Sequence, residues 1–262
     1  MNKSVLVVHA HPATSSLTHT LAETAKIELA SAGYRVLESD LYGMNWKAVY
    51  DAQDFPERAD PSRLSFIAES AAAYANGTQT PDVVAEQEKL KQADAVVILF
   101  PLWWFSFPAI LKGWVERVFA FGLAYGYKGQ GNRYRYGDGG FAGKRALLCV
   151  VAGGSEVDYG ARGVNGPLEQ LLFPITHGTL FYTGMEVLPT FAVHGSVSIT
   201  EAGVEDAKGA LAKRLSGLFT DTPIPFRSQN KGDYPDHHQL AADVAPDLTG
   251  ILAHVETADS LI

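Results

Sequence analysis

Cysteine is almost missing from this chain: Cys149 stands alone among 262 residues, so no disulfide can form within it and a disulfide-stapled scaffold is excluded. Basic residues are also scarce, with 21 Lys and Arg against 29 Asp and Glu and a formal net charge of −8. No Lys/Arg cluster stands out, and without one a nucleic-acid groove or an anionic-membrane patch lacks its electrostatic basis. Three signatures are absent as well: G-x-G-x-x-G, G-x-x-x-x-G-K-[ST] and G-x-S-x-G. A Rossmann dinucleotide loop, a P-loop and a hydrolase nucleophile elbow are therefore not indicated. Neither an internal repeat nor a low-complexity tract occurs. The opening MNKSVLVVHA has a short apolar run interrupted by His9, which leads to the expectation of no signal peptide and a reducing, cytoplasmic setting.

What is present is enough apolar side chain, 47% of residues, to bury a full core in one ordinary globular domain. The longest apolar run, Ala95 to Leu111, approaches the length of a membrane span, but Pro101 and Pro108 divide it. It reads instead as a buried strand, an aromatic loop and the start of a helix, with no membrane insertion.

The chain alternates strand and helix patterns. SVLVVHA is the first strand; a polar loop leads to a helix in which Leu17, Leu21, Ala25 and Leu29 recur every four residues until Gly33. YRVLESD is the second strand. Leu41 to Thr80 lacks a sustained period and is expected to be an extended excursion with at most a short helix. A helix from Pro81, the strand ADAVVILF, the helix PAILKGWVERVF, a Gly/Tyr-rich loop from about Gly122 to Gly143 and the strand RALLCVV follow. The turn AGGS, a helix near Pro167 to Leu172, the strand EVLPTFAV and a helix from about Thr200 to Phe219 complete the series. This order predicts an α/β fold of the flavodoxin-like doubly wound kind, with about five parallel strands and helices on both faces. Residues 1–220 are expected to form the catalytic domain and 221–262 a proline-rich, polar C-terminal extension.

Open parallel sheets bind ligands beyond the carboxyl ends of their strands. Three loops are expected there. The first, His11 to Thr18, brings hydroxyls to a helix N-terminus, where free N–H groups and the helix dipole favour a phosphate, although Ser15 or Ser16 also serves as a plain N-cap. The second, PLWWF, sets large aromatics at a strand end, either to seal a core or to offer a flat wall. The third, AGGSEVDYG, has Gly153 and Gly154 where a ligand edge can approach the backbone, and the hydroxyl of Tyr159. Together they describe a site for a phosphorylated planar ring such as a flavin. Cys149 lies in an apolar strand, His237 and His238 in a polar tail, and His177 and His194 are isolated, so neither thiol nor metal chemistry is expected of them.

At these same loops the sequence resembles the NAD(P)H:quinone oxidoreductases of the DT-diaphorase type, over roughly Val5 to Phe226. The resemblance rests on ESDLYGMNW, TPDVVAEQEKL, FPLWWFSFPAILKGWVERVF, AGGS with Tyr159, and PI followed by HGTL and a glycine. It implies a homodimer with FAD at each of two interface sites and a ping-pong reaction. By position, His11, Ser16, Leu17 and Thr18 would hold the pyrophosphate and ribityl region. Pro101, Leu102, Trp104 and Phe105 would lie against the isoalloxazine, Gly153, Gly154 and Tyr159 would border its pyrimidine side, and Glu116 would reach the partner's FAD. Substrate would meet Trp104, Phe105, Gly153, Asn165 and Tyr182, the last in a place usually held by phenylalanine, with Tyr125 and Tyr127 closing over it from across the dimer. Asn165 replaces a catalytic histidine, as in the branch that uses small dihydronicotinamides, and Val151-Ala152 replaces Thr-Thr. Of that branch's metal ligands only His177 matches, with Phe181 and Phe226 in the other places, so no metal is expected. Gly129 to Gly140 is an insertion.

These features favour an FAD-dependent enzyme passing hydride from NAD(P)H to a quinone-like acceptor, with Tyr159 and Asn165 as the catalytic pair. A nitro- or azoreductase with the same flavin chemistry, or a flavin-binding regulatory subunit of a membrane ion-efflux system, are the other readings.

Overall fold

A computed structural model describes residues 3–58, 60–127 and 134–261. Its centre is a parallel sheet of β1 (Ser4–His9), β2 (Arg35–Asp40), β3 (Ala95–Pro101), β4 (Arg145–Val151), β5 (Glu186–Val187) and β6 (Phe191–Val193). The order is β2-β1-β3-β4-β5, with β6 following β5 along the same side of β4. The strand order reverses between β1 and β3, which places the crevice of a flavodoxin-like sheet there.

Side chains of period two divide the core. Leu6, Val8, Val96, Ile98, Phe100, Leu148 and Val150 face one side. There they meet α3 (Pro81–Gln92) and α4 (Ala109–Val118) through Leu90, Leu111, Trp114 and Val118. Val5, Val7, Val97, Leu99, Leu147 and Cys149 face the other. There α1 (Leu17–Ser31) and α7 (Glu201–Ser216) bring Leu21, Ala25, Leu29, Leu211 and Leu215. The strands are buried on both faces, as a parallel sheet requires.

Three expectations need correction. The excursion from Leu41 to Thr80 contains a three-turn helix, α2 (Phe66–Asn76), closed by Gly77 at φ 70°. Only Ser70 and Ala73 of that helix are buried, so it carries little apolar period to read. The segment EVLPTFAV is two short strands rather than one. Pro189 has no N–H to donate, and the Thr190 N–H leaves the ladder for the Glu169 carboxylate at 2.5 Å. The helix near Pro167 to Leu172 is longer than expected: α5 (Leu168–Leu171) and α6 (Phe173–Ile175) run on into a π-helical turn, Thr176–Phe181.

The excursion is held by a buried guanidinium. Arg117 meets Asp54 at 2.6 Å and Asp82 at 2.7 Å, and its guanidinium lies 4.3 Å from the Trp46 ring centre. The extension is not a loose tail. Ile224, Phe226, Val255 and Leu261 enter the same core as Leu6 and Phe100, and Phe226 pairs with Val255 in a short antiparallel bridge. Among the described residues no helix is long and apolar enough to cross a membrane.

Candidate functional site

The carboxyl ends of β1, β3 and β4 lie side by side, so the three loops that leave them share one edge of the sheet. After β1, Ser16 caps α1: its Oγ accepts from the His19 N–H at 3.2 Å, and the first helical bond runs from Thr20 N–H to Ser16 C=O at 3.0 Å. The Leu17 and Thr18 N–H groups therefore have no acceptor inside the helix and are available to an anion. Thr18 itself is buried, so it offers a ligand only its backbone. His11 folds over this loop with Nδ1 3.0 Å from the Ala13 nitrogen, and its ring lies 5.7 Å from that of Trp103.

After β3, Leu102 N–H donates to Val151 C=O at 2.9 Å, tying the second loop to the end of β4. Trp103 and Ser106 then pair across a tight turn whose central residues, Trp104 and Phe105, have φ of 51° and 59°. Left-handed backbone is costly for bulky side chains and belongs to glycine and asparagine in ordinary turns. The turn does not recover this cost by burial, because Trp104 is 94% exposed. Two adjacent aromatics in strained backbone thus face outward at the sheet edge.

After β4, Ser155 N–H and Oγ both donate to the Asp158 carboxylate at 2.9 Å, setting a single 3₁₀ turn that ends at Tyr159. The Tyr159 ring then lies against Gly154, where a Cβ would stand 3.1 Å from Cε2. Asn165 N–H donates to Asp158 C=O at 2.9 Å, folding the loop back so that Asn165 and Tyr159 share it. Gly163 permits this return, since a Cβ there would stand 2.3 Å from the Asp158 carbonyl oxygen. Burial, and then the Asp158 carboxylate, push the Tyr159 phenol above its ordinary value, so it stays a protonated donor at neutral pH.

The structure divides the expected residues into two groups. His11, Ser16, Leu17, Pro101, Leu102, Trp104, Phe105, Gly153, Gly154, Tyr159 and Asn165 belong to the sheet edge. Glu116, Tyr125 and Tyr182 line a separate cavity of about 540 Å³ with Tyr50 and Phe66. Tyr125 and Tyr182 lie 5.5 Å apart there, and Glu116 pairs with Lys112 at 2.5 Å. Tyr127, 70% exposed, leans on Phe121 near the same cavity. No residue of the first group lines it.

A second cavity, about 360 Å³, adjoins the first at Gly178 and is roofed by the extension through Arg227, Gln229, Tyr234, His237, His238 and His254. His177 lies in its wall, stacked on Phe173 at 4.5 Å and on Tyr136 at 5.0 Å. Burial, helped by His254, pushes His177 down to about 4. Of the insertion, residues 129–133 lie outside the described residues; Tyr136 and Gly137 bond back to the Tyr182 and Phe181 carbonyls.

Sequence reading missed His194. Its ring lies 5.2 Å from Tyr159, and its Nδ1 is buried with no hydrogen-bond partner. The 35-residue separation hid this, and only the pairing of β6 with β4 brings the two together. Cys149 is buried within β4 and its thiol is pushed up to about 12, so it takes no part in chemistry at the site.

Comparison with known proteins follows the same lines. Residues 3–215 match a family model described as a flavodoxin-like fold. A ribosyldihydronicotinamide dehydrogenase-like protein, traD, of Penicillium crustosum is 45% identical over 88% of this chain and 86% of its own. The NAD(P)H dehydrogenase [quinone] 1 of Rattus norvegicus is 38% identical over 86% of this chain and 80% of its own. A candidate quinone reductase of Klebsiella pneumoniae superposes with a TM-score of 0.93 at 46% identity, over 97% of this chain and all of that one.

Proposed function

Because this chain belongs to the flavodoxin-like family, among its NAD(P)H and ribosyldihydronicotinamide quinone dehydrogenases, we propose that it is an FAD-dependent reductase that passes hydride from NAD(P)H to a quinone-like acceptor. The observation that carries this reading is the strained, outward-facing Trp104–Phe105 turn set beside the Gly153–Tyr159 loop.

The residues fit a flavin. The Leu17 and Thr18 N–H groups would donate to its phosphates, the Pro101 to Phe105 segment would supply a wall, and Gly153 and Gly154 would let the ring edge approach backbone. When bound, a flavin would supply the two-electron hydride chemistry that links donor and acceptor. The protein supplies position and charge. Trp104 and Phe105 hold flat partners face to face, which makes the transfer effectively intramolecular. Tyr159, protonated at neutral pH, would hold a hydrogen-bond donor toward the flavin's pyrimidine side. Asn165 provides an amide that orients substrate but cannot exchange a proton as an imidazole does.

The two groups of residues support a homodimer. Glu116, Tyr125, Tyr127 and Tyr182 are remote from the sheet edge of their own chain and would complete the partner's site. FAD rather than FMN belongs to this reading, because Glu116 matches by resemblance a residue that would reach the partner's FAD. The test is release of the pigment by heat, its chromatography, and steady-state turnover of NADH and NADPH with a soluble quinone. FAD and parallel-line kinetics are expected. A colourless protein that takes up no flavin, or FMN alone, or no turnover without an added partner, overturns the proposal.

A further inference from the structure

At the carboxyl end of the strand that leads into the first loop, three metal-ligating side chains converge that the reaction above does not use. His9 is the last residue of β1 and Asp40 the last of β2, directly paired across the sheet. His19, in the first turn of α1, leans over them with its ring 5.5 Å from that of His9. One ligand atom from each lies within 4.8 Å of the other two, the one such group among the described residues.

His9 is 1% exposed. Its Nε2 meets Glu38 Oε1 at 3.0 Å, and Lys26 holds that carboxylate in place at 2.6 Å. Its Nδ1 has no hydrogen-bond partner, and the nearest carboxylate oxygen, Asp40 Oδ1, is 3.8 Å away, beyond hydrogen-bonding distance. A buried ring nitrogen left unpaired is costly, and here it points toward a carboxylate and a second imidazole. The other ring nitrogen is fixed by a carboxylate, the arrangement by which metal-bound histidines are oriented and made more basic.

We propose that His9, His19 and Asp40 form a binding site for a divalent transition-metal ion of the zinc type. Two imidazoles and one carboxylate are a zinc-binding set that leaves one coordination position open. Binding needs His19 and Asp40 to close on His9 by side-chain rotation; both are half-buried, and Asp40 would loosen the bond that its Oδ1 accepts from Gly43 N–H at 3.0 Å. His19 would give up its weak contact with Glu23, 3.7 Å away. The ion would join β1, β2 and α1 beneath the loop that carries His11, adding positive charge one turn from the Leu17 and Thr18 N–H groups. This site is separate from the stacked His177, and the proposal does not depend on the reaction assigned above.

The experiment is calorimetric titration of the full-length protein, with its own cofactor bound, by zinc chloride in a non-chelating buffer, alongside metal analysis after dialysis. One ion per chain with micromolar affinity is expected, weakened at least tenfold by His19→Gln and by Asp40→Asn and unaffected by His237→Ala with His238→Ala. His9→Leu is a less certain variant because it alters the core, so the half-buried His19 carries the test, with circular dichroism to show that it folds. Zinc should also raise the melting temperature of the parent and not that of His19→Gln. No binding by the parent, or equal binding by His19→Gln, overturns the site and leaves His9 as an imidazole held by Glu38.

Discussion

The rings of Tyr159 and His194 lie 5.2 Å apart at a tilt of 41°, and the histidine's Nδ1 is buried without a partner. The pair comes from the ends of β4 and β6, so the sheet itself fixes the phenol's position. The hydroxyl lies over Gly154, where a Cβ would stand 3.4 Å from it.

Tyr159→Phe is expected to slow flavin reduction by about tenfold to a thousandfold, the range for losing one transition-state hydrogen-bond donor, while flavin stays bound. Stopped-flow absorbance measures this directly. An unchanged rate would remove Tyr159 from the mechanism. In the companion variant Asn165→His a faster hydride step is expected, because an imidazole is restored to the same loop.

Trp104→Gly separates strain from recognition. Glycine accepts a φ of 51° freely, and the tryptophan buries almost nothing in the isolated chain. The apo-protein should therefore change in stability by less than about 1 kcal/mol, while flavin affinity falls at least tenfold. Urea unfolding of apo-protein and fluorescence titration with FAD give the two numbers. A large loss of stability would mean that the turn is structural.

His177 predicts an acid-side loss of stability. Its folded value, about 4, lies below its ordinary 6.5, so the unfolded chain binds the extra proton between these pH values. The contribution is fully present above pH 6.5 and is lost as pH falls toward 4, about 3 kcal/mol at most. His254, also lowered by burial, acts in the same direction. His177→Phe, which keeps the stack with Phe173, should flatten unfolding free energy measured between pH 7 and pH 5.

The extension is expected to contribute both to donor binding and to the core, and the two parts separate. Lys231→Ala with His238→Ala removes an exposed ammonium and an exposed imidazole of the extension, the imidazole from the wall of the second cavity. It should raise KM for NAD(P)H severalfold and spare turnover with a minimal dihydronicotinamide, because only remote binding energy is lost. Truncation after Phe226 should instead impair both donors, since it removes Val255 and Leu261, each fully buried and each worth about 1.5–3 kcal/mol. Equal effects of the double variant on both donors would make the extension purely structural.

The sheet, its flavodoxin-like order and the three loops at its carboxyl edge were legible because long strands buried on both faces, punctuated by proline and glycine, leave few alternatives. What was not legible had weak or distant signals. The helix α2 is rich in alanine and buries only two small side chains, so its period is faint. The break at Pro189 depends on Glu169 replacing a strand partner, a contact 21 residues away. The separation of Glu116, Tyr125 and Tyr182 from the sheet edge is a three-dimensional fact, as are the pairings of His194 with Tyr159 and of His9 with Asp40. Residue spacing carries no trace of them.

The return of Val255 and Leu261 to the core that Leu6 and Phe100 begin has a consequence for biosynthesis. A nascent chain emerging from the ribosome presents the apolar faces of β1, β3 and β4 long before the residues that seal them are made. In that interval α3 and α4 already cover most of this face, so the part that waits for Val255 and Leu261 is the last of the core to close.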